Sequence, residues 1–263
     1  SSDVCSSDLN NLLKEIGRIH TYEEFLNTYS LARKVGFNNI NADLIIGLPK
    51  QTIADVENSV NELVNLKLEH ISVYSLILEE GTMLEELVRS GKLKLPEDKE
   101  ERNMYWKVKN ILEKNGYNHY EISNFAKHGS ESKHNLDCWK QKEYVGFGVA
   151  AHSYTNGVRY SNIENIEEYI KNYEEGKEED NFVFHEKQTH NMKVKEYMML
   201  GLRKIEGVCI QEFKEKFAAN PIFVFKTELE KLVNEELLEV NGDYIKLTNK
   251  GLDLANLVWE EFV

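Results

Sequence analysis

The sequence has few cysteines and no long apolar run. Its three cysteines, Cys5, Cys138 and Cys209, are far apart and include no CxxC pair. This distribution excludes a disulfide framework and a self-contained zinc or iron–sulfur motif, and it fits a cytoplasmic, reducing environment. No apolar run approaches the roughly 18 residues that a membrane-spanning helix needs, so we expect no transmembrane segment.

Basic residues are outnumbered by acidic ones. The 32 Lys and Arg residues stand against 45 Asp and Glu, which gives a formal net charge of −13. This charge argues against a general binder of nucleic acid or anionic membranes. A chain of 263 residues with 41% apolar content is long enough for one large or two modest domains with real cores.

The stretch from Asn41 to Thr52 is the most informative part of the pattern. Asp43 precedes the short apolar run Leu-Ile-Ile, which Gly47 and Pro49 end, as expected of a buried strand followed by a tight turn. Thr52 then caps a helix with apolar residues at helical spacing. The pattern predicts a strand, a turn and a helix, the unit of a parallel α/β sheet or barrel, whose ligands lie at the loops after the strands. On pattern alone, the alternative for Asp43 is a strand-entry acid that bonds nearby backbone.

Three buried strands, over residues 37–46, 71–78 and 117–125, alternate with helices at a spacing of about 30 residues. Half of an α/β barrel is therefore expected over residues 10–175. We interpret residues 1–9, a near-repeat of Ser-Ser-Asp, as a non-native tail, with a native serine-rich tail as the alternative. We also expect the chain to be part of a longer protein.

The second half is expected to contain a different domain, over residues 176–263, after a charged linker at residues 174–180. Helices, the Asn241-Gly242 hairpin turn and a closing helix indicate a winged-helix-like α+β module. Its third helix, over residues 223–234, and the turn after it are rich in glutamate, which does not suit a phosphate-binding face. We expect a structural role for this domain and no binding of nucleic acid.

Several motifs together resemble the oxygen-independent coproporphyrinogen III oxidase family of radical SAM proteins. Arg18 with His20, the Gly36–Asn41 stretch and Asp43-Leu-Ile-Ile-Gly-Leu-Pro carry this resemblance. Glu80-Gly-Thr, the stretch from His119 to Ala126 (His-Tyr-Glu-Ile-Ser-Asn-Phe-Ala), His134-Asn-Leu with Trp139, and Gly148–Ser153 are similar to one branch of the family, the radical SAM heme chaperones. The resemblance covers the chain from Asn10 to Val263 in order.

The resemblance implies the C-terminal part of a partial (βα)6 TIM-like barrel that carries a [4Fe–4S] cluster and S-adenosylmethionine. In this family an arginine at the Arg18 position meets the methionine carboxylate, and an aspartate at the Asp43 position accepts from the ribose hydroxyls. Ile45 and Ile77 fall at positions that contact the adenosyl group. A surface charge at a helix end is the alternative for Arg18.

Two departures from the family pattern matter. The cluster-binding CxxxCxxC motif would lie upstream of Asn10 and is absent, so we expect the chain by itself to be inactive and to hold no cluster. The heme chaperones carry HNxxYW, and here Cys138 stands at the tyrosine position. The resemblance makes His134 a heme ligand, with the Cys138 thiolate as a competitor. The alternative is a locally bonded His134 beside a small core cysteine.

Three functions fit these observations. The first is a radical SAM heme chaperone, cytoplasmic or loosely membrane-associated, that binds heme or a porphyrin and passes heme to an acceptor protein. The second is an oxygen-independent coproporphyrinogen III oxidase. The third is an acidic α/β interaction module with no chemistry of its own.

Overall fold

A computed structural model describes residues 21–263, so the predicted tail, Arg18 and His20 lie outside the described residues. Contacts between Cα atoms divide the chain into two compact units, one ending at Glu131 and the other running from Ser132 to Val263. The predicted division at residue 175/176 differs from this one. Strands on either side of that position pair with each other, which ties residues 158–162 and 182–187 into one sheet.

The first unit contains four helices and four strands within the described residues. In chain order they are α1 (Tyr22–Val35), β1 (Asn41–Ile46), α2 (Ile53–Asn65), β2 (His70–Ser75), α3 (Met83–Arg89), α4 (Asp98–Lys114), β3 (Asn118–Glu121) and β4 (Asn124–Ala126). The strands form one sheet in the order β1-β2-β4-β3. β1 and β2 are parallel and are joined by α2, so the predicted βαβ unit is present.

The helices begin where the sequence predicts them. Thr21 and Thr52 are N-caps, and each forms a capping box with the acidic residue three positions later, Glu24 and Asp55. Such a cap contributes about 1 kcal/mol of stability. Gly36 ends α1 with a φ of 107°, a conformation that favours glycine.

The core of the first unit lies between one face of the sheet and helices α2 and α4. Ala42, Leu44 and Ile46 of β1 are at most 1% exposed. They belong to one cluster with apolar side chains of both helices, namely Val56, Val60, Leu63, Met104, Val108 and Leu112. Because side chains alternate along a strand, Asn41, Asp43 and Ile45 point to the opposite face.

The predicted third strand is a β-hairpin. β3 and β4 pair with each other in antiparallel fashion, and β4 also runs antiparallel to β2. The turn between them is held by Glu121, whose Oε1 accepts from the backbone N–H of Ser123 at 2.9 Å and from the Asn124 side chain. The sequence from Tyr117 to Phe125 was predicted as a single strand. The turn was missed because it is stabilised by a buried carboxylate, that of Glu121, and not by a glycine or proline.

The second unit begins with α5 (Lys133–Trp139) and a three-stranded antiparallel sheet in the order β5-β6-β7. Its strands are β5 (His152–Thr155), β6 (Val158–Asn162) and β7 (Phe182–Lys187), with α6 (Ile166–Glu174) and a short 3-10 helix (Glu178–Asn181) between β6 and β7. The predicted charged linker therefore contains a helical turn.

The rest of the second unit has winged-helix character. Its elements are α7 (His190–Gly201), β8 (Val208–Cys209), α8 (Ile210–Phe217), α9 (Pro221–Val224), α10 (Lys226–Asn234), β9 (Leu238–Asn241), β10 (Tyr244–Leu247), α11 (Asn249–Asp253) and α12 (Ala255–Glu260). The predicted hairpin over Asn241-Gly242 is present. Two predicted helices are each divided, at Phe225 and at Leu254, where the backbone leaves the helical conformation.

Across residues 21–263, no helix combines the length and the apolar character that crossing a membrane requires.

Candidate functional site

Asp43 lies in the middle of β1 on the face opposite the core. It is 8% exposed, and its Oδ1 accepts from the Asn41 side-chain amide at 2.7 Å. In the register of the sheet Asp43 is opposite Ser72 of β2, and Ser72 is opposite Asn124 of β4. A row of polar residues therefore crosses this face of the sheet, which is the chemistry expected of a ligand-binding face and not of a second core.

The side-chain amide of Asn124 is only partly hydrogen-bonded within residues 21–263. Its nitrogen donates to Glu121, which fixes the orientation of the amide. The residue is 3% exposed, and its buried Oδ1 has no hydrogen-bond partner among these described residues. An unsatisfied buried acceptor costs free energy, so this polar row offers a place for one more hydrogen-bond donor.

Ile45 and Ile77 lie at the carboxyl ends of β1 and β2, which meet at the same edge because the strands are parallel. Ile45 is half-buried and Ile77 is 80% exposed. The loop after β1 is held in place by Gln51, which donates to the Ile45 carbonyl at 3.4 Å and accepts from Leu48 N–H at 3.1 Å. The structure thus brings three of the four predicted S-adenosylmethionine residues to one part of the first unit, while Arg18 lies outside the described residues.

His70 of β2 and His119 of β3 lie on opposite faces of the sheet. Burial lowers the pKa of each to about 4, so both rings are neutral at pH 7. His119 stacks on Phe125 with centroids 4.3 Å apart and belongs to the core side. His70 is opposite Asn41 in the register and bonds to it. Sequence reasoning named His119 as the start of a family motif and did not single out His70, because the pattern does not indicate which face of a strand a histidine occupies.

His134 is exposed on helix α5 of the second unit. Its Nε2 lies 3.7 Å from the Sγ of Cys138, one turn further along the same helix. Burial and the nearby Asp137 raise the pKa of the Cys138 thiol, so the sulfur is protonated at neutral pH unless a metal binds it. The ring of Tyr144 meets the His134 ring edge to face, with centroids 6.4 Å apart. An accessible imidazole beside an aromatic ring fits a heme iron.

Trp139 belongs to the same motif as His134 and packs against another part of the second unit. Its ring packs against the guanidinium of Arg203 at 4.6 Å, and Trp259 approaches the same guanidinium at 4.4 Å. This stack fastens the end of α5 to the winged-helix part of the second unit. The aromatic ring beside His134 is that of Tyr144, which the sequence reading did not single out.

Polar contacts also hold the end of α5. The Lys216 ammonium donates to the carbonyls of Lys140 and Gln141 at 3.1 and 3.3 Å, which satisfies groups that a helix end leaves open. Gln141 in turn donates to Glu196 at 2.7 Å. Burial alone would raise the pKa of Glu196, but hydrogen bonds from Gln188, Gln141 and Arg159 lower it. These hydrogen bonds hold in place the helix α5 that carries His134.

The described residues hold no ready-made metal centre. Among residues 21–263, no group of three or more His, Cys, Asp and Glu side chains is arranged to hold a metal ion. Cys138 and Cys209 are both free thiols. A [4Fe–4S] cluster needs several clustered thiolates, so these residues do not fit one.

Comparisons with known proteins agree with this architecture. The model of the HemN C-terminal domain matches residues 188–254. The solved structure of coproporphyrinogen III oxidase (HemN) from Escherichia coli, described as a radical SAM enzyme, superposes with a TM-score of 0.77 over 97% of this chain and 62% of that one. At 19% identity this likeness concerns the fold, and it confirms the predicted partial barrel followed by a C-terminal domain.

Curated relatives include two heme chaperones named HemW. The one from Lactococcus lactis is 40% identical over 97% of this chain, and the one from Bacillus subtilis is 38% identical over 96%. The chain belongs to the coproporphyrinogen III oxidase-like family of radical SAM proteins, as its motifs predict. It spans 66% of the length of each of these two relatives.

Proposed function

We propose that this protein is a heme chaperone, with His134 as the residue that binds the heme iron. The observation that carries the proposal is the exposed imidazole of His134 on a firmly held helix, in a chain whose curated relatives are named heme chaperones. Heme is the cargo, and it would be passed to an acceptor protein. The exposure of His134 to solvent suits cargo that has to leave again.

His134 and Cys138 present their ligand atoms from the same face of one short helix. With Nε2 and Sγ 3.7 Å apart, a porphyrin ring does not fit between them, so they would approach the iron from the same side. Only one of them can then occupy that axial position. Imidazole is the better ligand at neutral pH, because the raised pKa of Cys138 means that its thiol must first lose a proton.

We further propose that the whole protein binds S-adenosylmethionine through Arg18, Asp43, Ile45 and Ile77. The support is the buried carboxylate of Asp43 on a polar sheet face, with Ile45 and Ile77 at the edge where parallel strands end. When bound, S-adenosylmethionine and a [4Fe–4S] cluster would supply radical chemistry. Asp43 would hold the ribose by accepting from its hydroxyls, and the two isoleucines would shield the adenosyl group from water.

Heme titration of three variants tests the ligand. His134→Ala should change the Soret and visible bands, while the affinity falls only modestly because burial of the porphyrin face supplies much of the binding free energy. Cys138→Ala and Cys138→Tyr, the latter restoring the family's residue, should leave the bands unchanged. If only the cysteine variants lose the spectrum, the thiolate is the ligand. If no variant differs from the parent, heme is not bound at this helix.

A second assay separates the chaperone from the oxidase. The full-length protein, with its cluster assembled, would be incubated with coproporphyrinogen III and S-adenosylmethionine. We expect heme binding without loss of the propionate carboxyl groups. Decarboxylated product in stoichiometric excess over enzyme would establish the oxidase instead.

A further inference from the structure

Asn41 is the centre of a hydrogen-bonded chain on the polar face of the sheet. Its Oδ1 lies 2.6 Å from Nδ1 of His70 and 3.2 Å from the hydroxyl of Ser72, which donates to it. Its side-chain nitrogen donates to Asp43 Oδ1 at 2.7 Å. At the other end, Nε2 of His70 lies 2.8 Å from the hydroxyl of Tyr120. Three strands and four side chains thus form one continuous path to Asp43.

The chemistry of these groups fixes the direction of each bond. The Asp43 carboxylate only accepts, so the Asn41 amide must turn its nitrogen toward Asp43 and its oxygen toward His70. That oxygen can only accept, so Nδ1 of His70 carries the proton. Nε2 of the neutral ring is then the acceptor, and Tyr120 donates to it. The neutral state is secured by burial, which lowers the pKa of His70 to about 4 against the opposing effect of Glu131.

From this geometry we propose that His70 is a positioning residue for Asp43, acting through Asn41 to hold the carboxylate that binds the ribose of S-adenosylmethionine. The inference rests on the S-adenosylmethionine site proposed above. In this proposal His70 acts through Asn41 and not by touching the ligand. Its role is to lock the Asn41 amide, which in turn locks one oxygen of Asp43.

The physical benefit is preorganisation. A carboxylate that is free to rotate must lose that freedom when it accepts two ribose hydroxyls, and the loss weakens binding. Oδ1 of Asp43 already has a fixed donor, so the orientation of the carboxylate group is set before the ligand arrives. Outer hydrogen-bonding partners have the same effect on the ligands of metal sites.

Two substitutions of His70 separate positioning from packing. The side-chain nitrogen of asparagine stands near the position of Nδ1, so His70→Asn keeps a donor for Asn41. The amide of glutamine stands near Nε2, so His70→Gln keeps a partner for Tyr120 and loses the bond to Asn41. With the full-length protein carrying its cluster, equilibrium dialysis of S-adenosylmethionine should give near-parental affinity for His70→Asn. His70→Gln should bind about tenfold more weakly, the size of effect typical of such outer partners.

Asp43→Asn distinguishes failure of this inference from failure of the site. If Asp43→Asn binds S-adenosylmethionine as well as the parent, the ligand does not meet Asp43, and both proposals fall. If Asp43→Asn weakens binding and His70→Gln does not, only the positioning role is wrong. Equal loss in His70→Asn and His70→Gln would mean that the ring acts by packing alone, which also overturns the inference.

A measurement without ligand tests the same bonds. Nitrogen-15 NMR of the histidine rings in the 263-residue chain should show His70 as the neutral tautomer with the proton on Nδ1 at pH 7. Asn41→Ala removes the acceptor and should shift that resonance toward the other tautomer. Observation of the Nε2–H tautomer in the parent protein would contradict the bond directions on which the inference depends.

Discussion

Individual residues of this chain owe their roles to the neighbours that the fold gives them. Asp43 is a carboxylate with a fixed orientation because Asn41 bonds to it, and Asn41 is fixed because His70 and Ser72 bond to its oxygen. Trp139 belongs to the same sequence motif as His134, yet its ring packs on Arg203. At this scale the structure separates the side chains proposed to meet a ligand from the side chains that support the surrounding helices and strands.

The stack on Arg203 predicts a stability effect for Trp139. Trp139→Phe should lower the free energy of unfolding by roughly 1 kcal/mol and Trp139→Ala by roughly 3 kcal/mol, because the contact with the guanidinium and the apolar area shrink. Urea unfolding measures this, and heme titration of the same variants should give unchanged bands. Unchanged stability together with a large loss of heme affinity would indicate that Trp139 contacts the heme and does not act as a structural support.

Buried neutral histidines predict an acid-sensitive fold. His70 and His119 have a folded pKa of about 4, below the ordinary value of 6.5, so the unfolded chain binds more protons between these values. Stability is fully present above pH 6.5 and is lost as the pH falls toward 4, by up to roughly 3 kcal/mol for each ring.

His119→Phe provides the test of that pH dependence. The substitution keeps the stacking on Phe125 and removes one titrating ring, so the decline in unfolding free energy between pH 6.5 and 4 should become shallower. Urea unfolding at several pH values measures the slope for both proteins. An identical slope in parent and variant would show that His119 does not contribute.

At the scale of elements, two glycines of the winged-helix part share a left-handed backbone conformation and differ in the atoms that surround them. Gly207 and Gly242 both have positive φ, 86° and 60°. A Cβ at Gly207 would overlap the carbonyl oxygen of Ile245 in β10, whereas no atom of the described residues lies within 4 Å of a Cβ at Gly242. Gly207 is therefore needed for close approach of two backbones as well as for its dihedral angle.

These two positions form a matched pair. Gly242→Ala should cost about 1 kcal/mol, from backbone strain alone. Gly207→Ala should cost at least about 2 kcal/mol more, since the backbone must also move away from β10. Urea unfolding gives both values, and faster hydrogen exchange at the amides of Tyr244–Leu247 should accompany only the Gly207 variant. Equal costs would mean that β8 and β10 are not packed as closely as described.

At the scale of the whole molecule, the chain combines a winged-helix part, a module often used for DNA binding, with an acidic net charge that opposes such binding. The net charge is −13, and helix α10 of the winged-helix part carries Glu228 and Glu230 beside Lys226 and Lys231. Phosphate contacts require an excess of basic side chains on one face. The winged-helix part instead supports α5 through Arg203 and Lys216.

Fluorescence anisotropy with a labelled DNA duplex tests this distribution of roles. We expect no saturable binding at physiological salt, and none at low salt, where phosphate contacts are strongest. The variants Glu228→Lys and Glu230→Lys serve as controls. Each replaces a negative charge on helix α10 with a positive one, so any change in DNA binding should be an increase. Saturable binding by the parent protein with a steep salt dependence would contradict the prediction.

The sequence by itself determined the local elements and the family. The cap at Thr52 and the Asn241-Gly242 turn are local signals, because each depends on neighbours within a few residues. The family motifs likewise lie in short contiguous stretches. These features were predicted because the physics that produces them acts over short distances along the chain.

Only the tertiary structure decided which side chains meet. The hairpin at Glu121 depends on a buried carboxylate, and the path from Tyr120 through His70 and Asn41 to Asp43 joins three strands. Register between strands creates these contacts, and register follows from packing of the whole sheet and not from the local pattern. For the same reason the motif that contains His134 and Trp139 did not indicate which aromatic ring lies beside the imidazole. In the fold that ring is Tyr144, and Trp139 packs against Arg203.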